Sequence, residues 1–282
     1  MLRTRLVAIA VLLTAPATLA AQSVGPEAPG ALPDPETRRP IAAIDSVFIE
    51  ELTWLEVRDA IREGRTTVLI ATGGVELNGP YLALGRRNSV ARATAAATAR
   101  LLGDALVAPV IPFAPAVEPG PVWAYPGTIY LGESAFGALL HDIVASLAEH
   151  GFDEVVLLGD GAASQSALVL AAGKLRAAEL GPRIHYVPEF GDEGSLREWT
   201  AEQGIVEKPE GLRDDFATSA MLMAVDPQAV RMEQRIARGL FSINGVSLAP
   251  AYNTIALGRR LIEHRAERTA AAIRRLRGED EG

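Results

Sequence analysis

One feature limits what this chain can fold into more than any other. Short apolar runs with no polar face alternate with stretches of helical character. "TTVLIAT" (66–72) is β-branched and apolar on both faces, and "DEVVLLGD" (153–160) is a second short run of the same kind. A strand with no polar face must be covered on both sides, which is the situation of a strand inside a parallel sheet. "ALVAPVIPF" (105–113) and "RIHYVPEF" (183–190) read as two further strands. Between and around them lie helical segments. "LTWLEVRDAIREG" opens on the capping pair Thr53 and Glu56 and closes at Gly64. "SVARATAAATARLLG" is alanine-rich with Ser89 as its expected cap, and "ESAFGALLHDIVASLAEHG" ends at Gly151. "SQSALVLAAGKLRAAELG" follows, and a last helix is expected from about Asn253 to Arg277 after a less regular stretch. Strand–helix alternation with short connections predicts an α/β fold around a parallel sheet.

The ends of the chain read differently. Arg3 and Arg5 precede "LVAIAVLLTAPATLA", with small residues at Ala20 and Ala21. This is the layout of a signal peptide over 1–21, too short and too rich in Ala, Thr and Pro for a good membrane span. Retention as an N-terminal anchor is the other reading. Residues 22–42 are rich in Pro and Gly and form an expected flexible leader, leaving 43–278 as a single domain. The protein is therefore expected to be exported, periplasmic or secreted, with no membrane attachment after cleavage. It has no cysteine, which removes disulfides, thiolate nucleophiles and Cys-bound zinc. A net charge of −8 supplies no basic excess for nucleic acid. The arginine-rich end "RRLIEHRAERTAAAIRRLR" is balanced by Glu263 and Glu267 at helical spacing and reads as a solvated helix face.

Parallel sheets bind ligands beyond the carboxyl ends of their strands, so the loops 71–88, 113–128 and 159–165 are the places to search. "GDGAAS" (159–164) half-matches a dinucleotide fingerprint, with Ser164 at the third small position, and reads as a tight turn. No G-x-S-x-G elbow is present, and Ser164 and Ser166 open a helix. His141, His150, His185 and His264 all fall within or at the ends of expected helices and strands. The strand-end loops thus lack the usual base and the usual zinc ligand.

Several segments, in order, resemble the creatininase family. "ELTWLEVRDAIREGRTTVLIATGGVELNGPYLALG" is similar to that family's opening, in which E-L-T-W is followed by G-S-x-E-Q-H-G-P-H-L-P-L-G-T-D. "APVIPF", "YPGTIYL", "HGFDEVVLLGD" and "ATSAMLMAVDPQAVRM" continue the similarity to about Met232, and "NGVSLAPA" before the last helix also suits the group. The resemblance implies a three-layer α/β/α sandwich around a mainly parallel sheet, often assembled as a homohexamer. It implies a metal-dependent hydrolase of C–N bonds in cyclic amides, formamides or small peptides. Two divalent ions, zinc or manganese, would sit at the strand ends and lower the pKa of a bridging water.

Carried across position by position, the implied ligands are mostly replaced. Glu76 matches the family glutamate. Asn78 and Tyr81 stand at histidine positions, and Arg87 stands at the ligand aspartate. Val122, Gly161 and Leu212 also take histidine positions, Ala217 takes a glutamate position, and Asp215 is left to stand for an earlier glutamate. Losing a single residue that merely orients a ligand costs about 10–100-fold in metal affinity, and here several direct donors are gone. A guanidinium about 4 Å from a divalent ion is repelled by roughly 8 kcal/mol at an effective dielectric of 20. The arginine can instead pair with Glu76 and occupy the metal's space.

Two expectations follow. In the first, the two-metal site is lost, no cofactor is bound, and the protein is a non-catalytic binding or assembly paralogue. Its strand-end pocket would be built on Glu76 and Arg87, with Asn78, Tyr81, Asn88 and Asp160 contacting a small amide or anionic ligand. In the second, a remodelled amidohydrolase survives. Either Glu76, Asp160 and Asp215 hold one divalent cation (Zn, Mn or Mg), or Glu76 acts as a metal-free base with Arg87 stabilising an oxyanion.

Overall fold

The computed structural model describes residues 32–116 and 124–279. The expected signal peptide, the first part of the leader and Val122 lie outside the described residues. The chain divides into Met1–Arg38 and Arg39–Gly282. In the former, the Thr37 amide donates to the Asp34 carbonyl at 2.9 Å to close a turn.

Helix α1 (Trp54–Arg62) carries the expected capping box with both halves present. The Thr53 amide donates to Glu56 Oε2 at 2.7 Å, and the Glu56 amide donates to Thr53 Oγ1 at 3.3 Å. Strand β1 (Thr67–Thr72), helix α2 (Arg86–Leu102) and strand β2 (Ala105–Val107) follow. A small parallel pair, β3 (Ala114–Ala116) with β4 (Tyr130–Gly132), leads into α3 (Glu133–Glu149). Then come β5 (Glu154–Gly159), α4 (Ala162–Ala177) and β6 (Arg183–Tyr186). The main sheet runs β2-β1-β5-β6, parallel throughout, with Leu69 opposite Val156 and Thr72 opposite Gly159.

Every residue of β1 and of β5 is buried, because alternate side chains feed two cores. Val68, Ile70, Val155 and Leu157 point to one face, where they meet Ala60 of α1, Phe136 and Leu140 of α3, and Leu168 and Leu175 of α4. Leu69, Ala71, Val156 and Leu158 point to the other face. There Ala91, Ala95 and Ala99 place a small-residue stripe of α2 against the sheet. Ile273 of α8 (Ala251–Arg277) packs on the same face. This is the three-layer α/β/α arrangement expected.

A third core gathers the remaining elements: α5 (Glu193–Glu202), α6 (Phe216–Val225), α7 (Met232–Ala237) and the hairpin β7 (Ser242–Ile243)–β8 (Val246–Ser247). Helix α6 is buried from Phe216 through Met223 and crosses α8 at Gly258. A Cβ at Gly258 would lie 1.9 Å from the Ala220 carbonyl oxygen, so only glycine lets the two helices approach this closely.

Some local expectations need correction. Helix α2 begins at Arg86 with Gly85 as its cap, so Ser89 lies inside the helix and makes no cap. The expected strand over 105–113 pairs regularly only through Val107, with one further bridge at Ile111. Pro109 and Pro112 have no N–H to donate to a ladder. Strand β6 stops at Tyr186, and Pro188 opens a 3-10 turn instead. The stretch read as less regular holds α5, α6 and α7. The last helix is not a purely solvated face either. Glu263 and Glu267 are exposed, but Arg265 is buried.

Candidate ligand site at the strand ends

The chain leaves β1 through α2 to β2 on one side, and leaves β5 through α4 to β6 on the other. Connections of opposite sense open a crevice between the carboxyl ends of β1 and β5. Glu76 follows the first of these strands and Asp160 follows the second. The first turn of α2 is clamped into this crevice. The Gly74 amide donates to Asn88 Oδ1 at 2.7 Å, and a Cβ at Gly73 would lie 2.1 Å from that same oxygen. The bare Gly73 therefore lets Asn88 press against the strand end. That contact fixes where the neighbouring Arg87 points.

Arg87 and Glu76 form the centre of the site. Arg87 Nε donates to Glu76 Oε1 at 2.5 Å, and Arg87 Nη1 donates to the Asp160 carbonyl at 2.8 Å. Glu193 lies 3.7 Å from the same Nη1, and the Tyr130 hydroxyl reaches Glu76 Oε2 at 3.3 Å. Burial pulls the Arg87 pKa down, but Asp160 and Glu76 outweigh it and hold the guanidinium charged beyond its ordinary range. Gly161 adopts φ +118°, and a Cβ there would lie 2.2 Å from Arg87 Nη1. No side chain at 161 is compatible with this position of Arg87.

Asp160 is oriented from the far end of the chain. Arg265 Nη2 lies 2.5 Å from Asp160 Oδ1, while Arg265 Nε donates to the Phe190 carbonyl and the guanidinium stacks 4.6 Å from the Phe190 ring. Burial would raise the Asp160 pKa, but Arg265, Arg87 and Arg86 together bring it below the ordinary carboxylate value. Asn78 is buried, accepting from Arg86 Nε at 2.7 Å and donating to the Glu76 carbonyl at 2.8 Å. Asp215 caps α6, accepting from the Thr218 amide at 2.7 Å and the Thr218 hydroxyl at 2.8 Å.

A cleft of about 490 Å³ opens onto this centre, lined by Glu76, Asn78, Arg86, Arg87 and Asp215 among others. Arg197, Glu207, Arg213 and Asp214 also line it. Burial pushes the Glu207 and Asp214 carboxyls up from their ordinary values. Of the sequence candidates, Asn88 and Asp160 sit behind the cleft wall as supports. Tyr81 leaves it altogether and lies under Arg235, whose guanidinium carbon is 4.5 Å from the ring centre. Among the described residues, no three His, Asp or Glu side chains group to hold a metal ion. Arg265, Tyr130, Glu193 and Arg197 were not singled out from the sequence. For Arg265 a signal existed in Ala266, Thr269 and Ala270, small residues that mark its side of the helix as buried.

A layered α/β protein with a charged crevice at the sheet's switch point is the class that this architecture defines. The profile described as creatininase, creatinine amidohydrolase, matches residues 50–273, and the chain belongs to the creatininase family. Among solved structures, a creatinine amidohydrolase (creatininase) is 20% identical with a TM-score of 0.59, covering 83% of this chain and 98% of that one. A creatininase mutant of the Zn–Zn type is 21% identical with a TM-score of 0.60, covering 83% and 99%. A protein described as a putative creatinine amidohydrolase from Bacteroides fragilis is 15% identical with a TM-score of 0.54, covering 83% and 94%. At these identities the likeness shows the fold. No curated protein sequence matches the chain.

Proposed function

We propose that this protein is a non-catalytic member of its family whose strand-end cleft binds a small anionic or amide ligand. One observation carries the reading: the Arg87 guanidinium bonds to Glu76 and occupies the space beside Gly161. A two-metal centre does not fit these residues. A fixed cation stands on the one inherited acid, and the neighbouring donor position has no side chain. Asp160 and Asp215 are each engaged elsewhere, by Arg265 and by Thr218. Arg87 also keeps Glu76 paired, so the carboxylate would have to give up that partner to turn toward a substrate. The arginines lining the cleft supply planar, charge-assisted donors suited to a carboxylate or an amide carbonyl. Export and homo-oligomerisation belong to the same reading, and N-terminal sequencing and light scattering of the mature protein test them.

The central test is metal content by mass spectrometry on the purified protein, together with amide hydrolysis assays. The expected result is sub-stoichiometric metal and no hydrolysis, with small carboxylates or amides raising Tm in the wild type but not in Arg87→Leu. Stoichiometric zinc or manganese that disappears in Glu76→Gln would overturn the proposal. So would amidase activity lost in the same variant.

A further inference from the structure

We propose that the ligand of the strand-end cleft is a small aliphatic amino acid, its carboxylate held by Arg86 and its ammonium by Glu207. The inference rests on the binding reading above and gives it a chemical class. Arg86 is the observation that points to a charged ligand. Its side chain is 6% exposed, and it lines the cleft of about 490 Å³ beside Glu76 and Arg87. Nε is spent on Asn78 Oδ1 at 2.7 Å. The nearest acid, Asp215, lies 3.9 Å from Nη1, too far for a hydrogen bond, and both its oxygens are taken by Thr218. Nη1 and Nη2 have no hydrogen-bond partner among the described residues, and neither is sealed from solvent. The open end of the guanidinium therefore meets the cleft.

Burial, with Arg87 beside it, pulls Arg86 down from its ordinary value, while Asp215, Asp160 and Glu76 act against that. A buried guanidinium with two open nitrogens is costly, and a carboxylate matches both in a planar, two-bond pair. The opposite charge stands open on Glu207, which lines the same cleft. Its Oε2 accepts from the Phe216 amide at 2.9 Å and from Asn244 Nδ2 at 2.7 Å, both neutral donors. Oε1 has no partner among the described residues and is not sealed from solvent either. Burial and the like charges of Asp215 and Asp214 push the Glu207 carboxyl up, a cost that a cation relieves. The consecutive residues Asp215 and Phe216 face Arg86 and Glu207 respectively, which sets the two open charges a short span apart. One small molecule carrying both charges satisfies both without displacing a protein partner. Ala201, Ile205 and Val206 also line the cleft and offer an apolar wall to an aliphatic side chain.

Isothermal titration at low ionic strength with L-valine and L-leucine tests the assignment. The controls are isocaproate, which is leucine without its ammonium, and L-leucinamide, which lacks the carboxylate. The expected result is saturable binding of at least one amino acid, about tenfold or more tighter than either control, the worth of one charge-assisted hydrogen bond. Arg86→Lys loses the fork and should weaken leucine and isocaproate together by about tenfold or more. Glu207→Gln keeps an acceptor for the Phe216 amide, and should erase the preference for leucine while leaving isocaproate binding unchanged. Circular dichroism checks both folds, and Glu207, only partly buried, decides the matter even where Arg86→Lys fails to fold. No saturable binding of either amino acid, isocaproate binding as tightly as leucine, undiminished binding in a folded Arg86→Lys, or a preference that survives Glu207→Gln overturns the assignment. Control ligands that bind without any preference for the amino acid leave the earlier binding reading standing. Stoichiometric metal or amidase activity in the same preparation defeats that reading instead.

Discussion

The two ends of the central sheet carry the same chemistry put to different use. At the amino ends of the strands, Glu154 is buried and lies 2.6 Å from Arg277 Nη2. Thr67 Oγ1 donates to the same carboxylate at 2.9 Å, and His185 Nε2 lies 3.2 Å away. Arg277 also reaches Asp104 at 3.1 Å, so the last turn of α8 is bolted to β1, β5 and the start of β2. At the carboxyl ends, Glu76–Arg87 and Asp160–Arg265 form pairs of comparable burial and geometry. The difference is the cleft that opens on Glu76 and Arg87. A buried arginine–carboxylate pair is therefore no mark of a site by itself. Position at the switch point and access to a cavity make it a candidate.

The comparison can be broken by mutation. The largest effect is expected from Arg265→Met, which leaves Asp160 buried without its closest cation. About 3–5 kcal/mol of stability should be lost in urea unfolding. Arg277→Met at the opposite end should cost a similar amount while leaving ligand-induced Tm shifts intact. Equal loss of ligand response in both variants would erase the distinction between the ends.

Next comes Gly161→Ala. It forces a side chain into a φ of +118° and against Arg87 Nη1. A loss of about 1–3 kcal/mol is expected from the backbone strain, before any contribution from the clash. In the Arg87→Ala background the clash disappears and only the strain remains, so the double-mutant cycle should show a favourable coupling. Additive costs would mean that the two positions do not share space.

Acid titration separates the cleft from both ends. Asp160 and Glu154 are held below their ordinary values of 3.8 and 4.5, because arginines outweigh the effect of burial. Their stabilisation is complete above those ordinary values and is lost as pH falls through the lower folded-state ones. Glu207 and Asp214 are shifted the other way, chiefly by burial, so the folded protein takes up their protons before the unfolded chain does. Their ionisation destabilises the fold as pH rises through the raised values. Asp214→Asn should therefore increase stability at pH 7 and leave the acid-side loss due to Asp160 in place. A decrease at pH 7 would show that Asp214 is stabilised by charge partners rather than strained by burial.

The smallest effect is a control remote from both ends. Thr53→Ala removes one half of the capping box of α1 and should cost about 1 kcal/mol. It should have no influence on metal content or the response to ligands.

Much of this was legible in the residues themselves. The two-faced apolar runs of β1 and β5, the capping box at Thr53 and the alanine stripe of α2 each state a local preference that the fold keeps. The motif series placed the chain in its family, and the Glu76–Arg87 pair was expected from the charge standing at a ligand position. Three things were not legible. Tyr81 was read as facing the strand-end pocket, but a turn of a few residues decides which side of the chain a side chain takes, and it lies beside Arg235. Ser89 was read as a cap, but the clamp of Asn88 on Gly74 starts the helix one turn earlier. Arg265 was read within a solvated face, although it crosses to Asp160, 105 positions away.

The division has a physical cause. Helix and strand periodicity, caps and turns depend on residues a few positions apart, so the sequence determined the layers, the parallel sheet and the loops that meet at its switch point. For Asp160 with Arg265 and Glu154 with Arg277, which arginine meets which acid depends on segments 105 and 123 positions apart that packing brings together. Burial then sets how strongly each pair holds. Only the tertiary structure could decide that Arg87 fills the space beside Gly161 and that Asp160 belongs to Arg265.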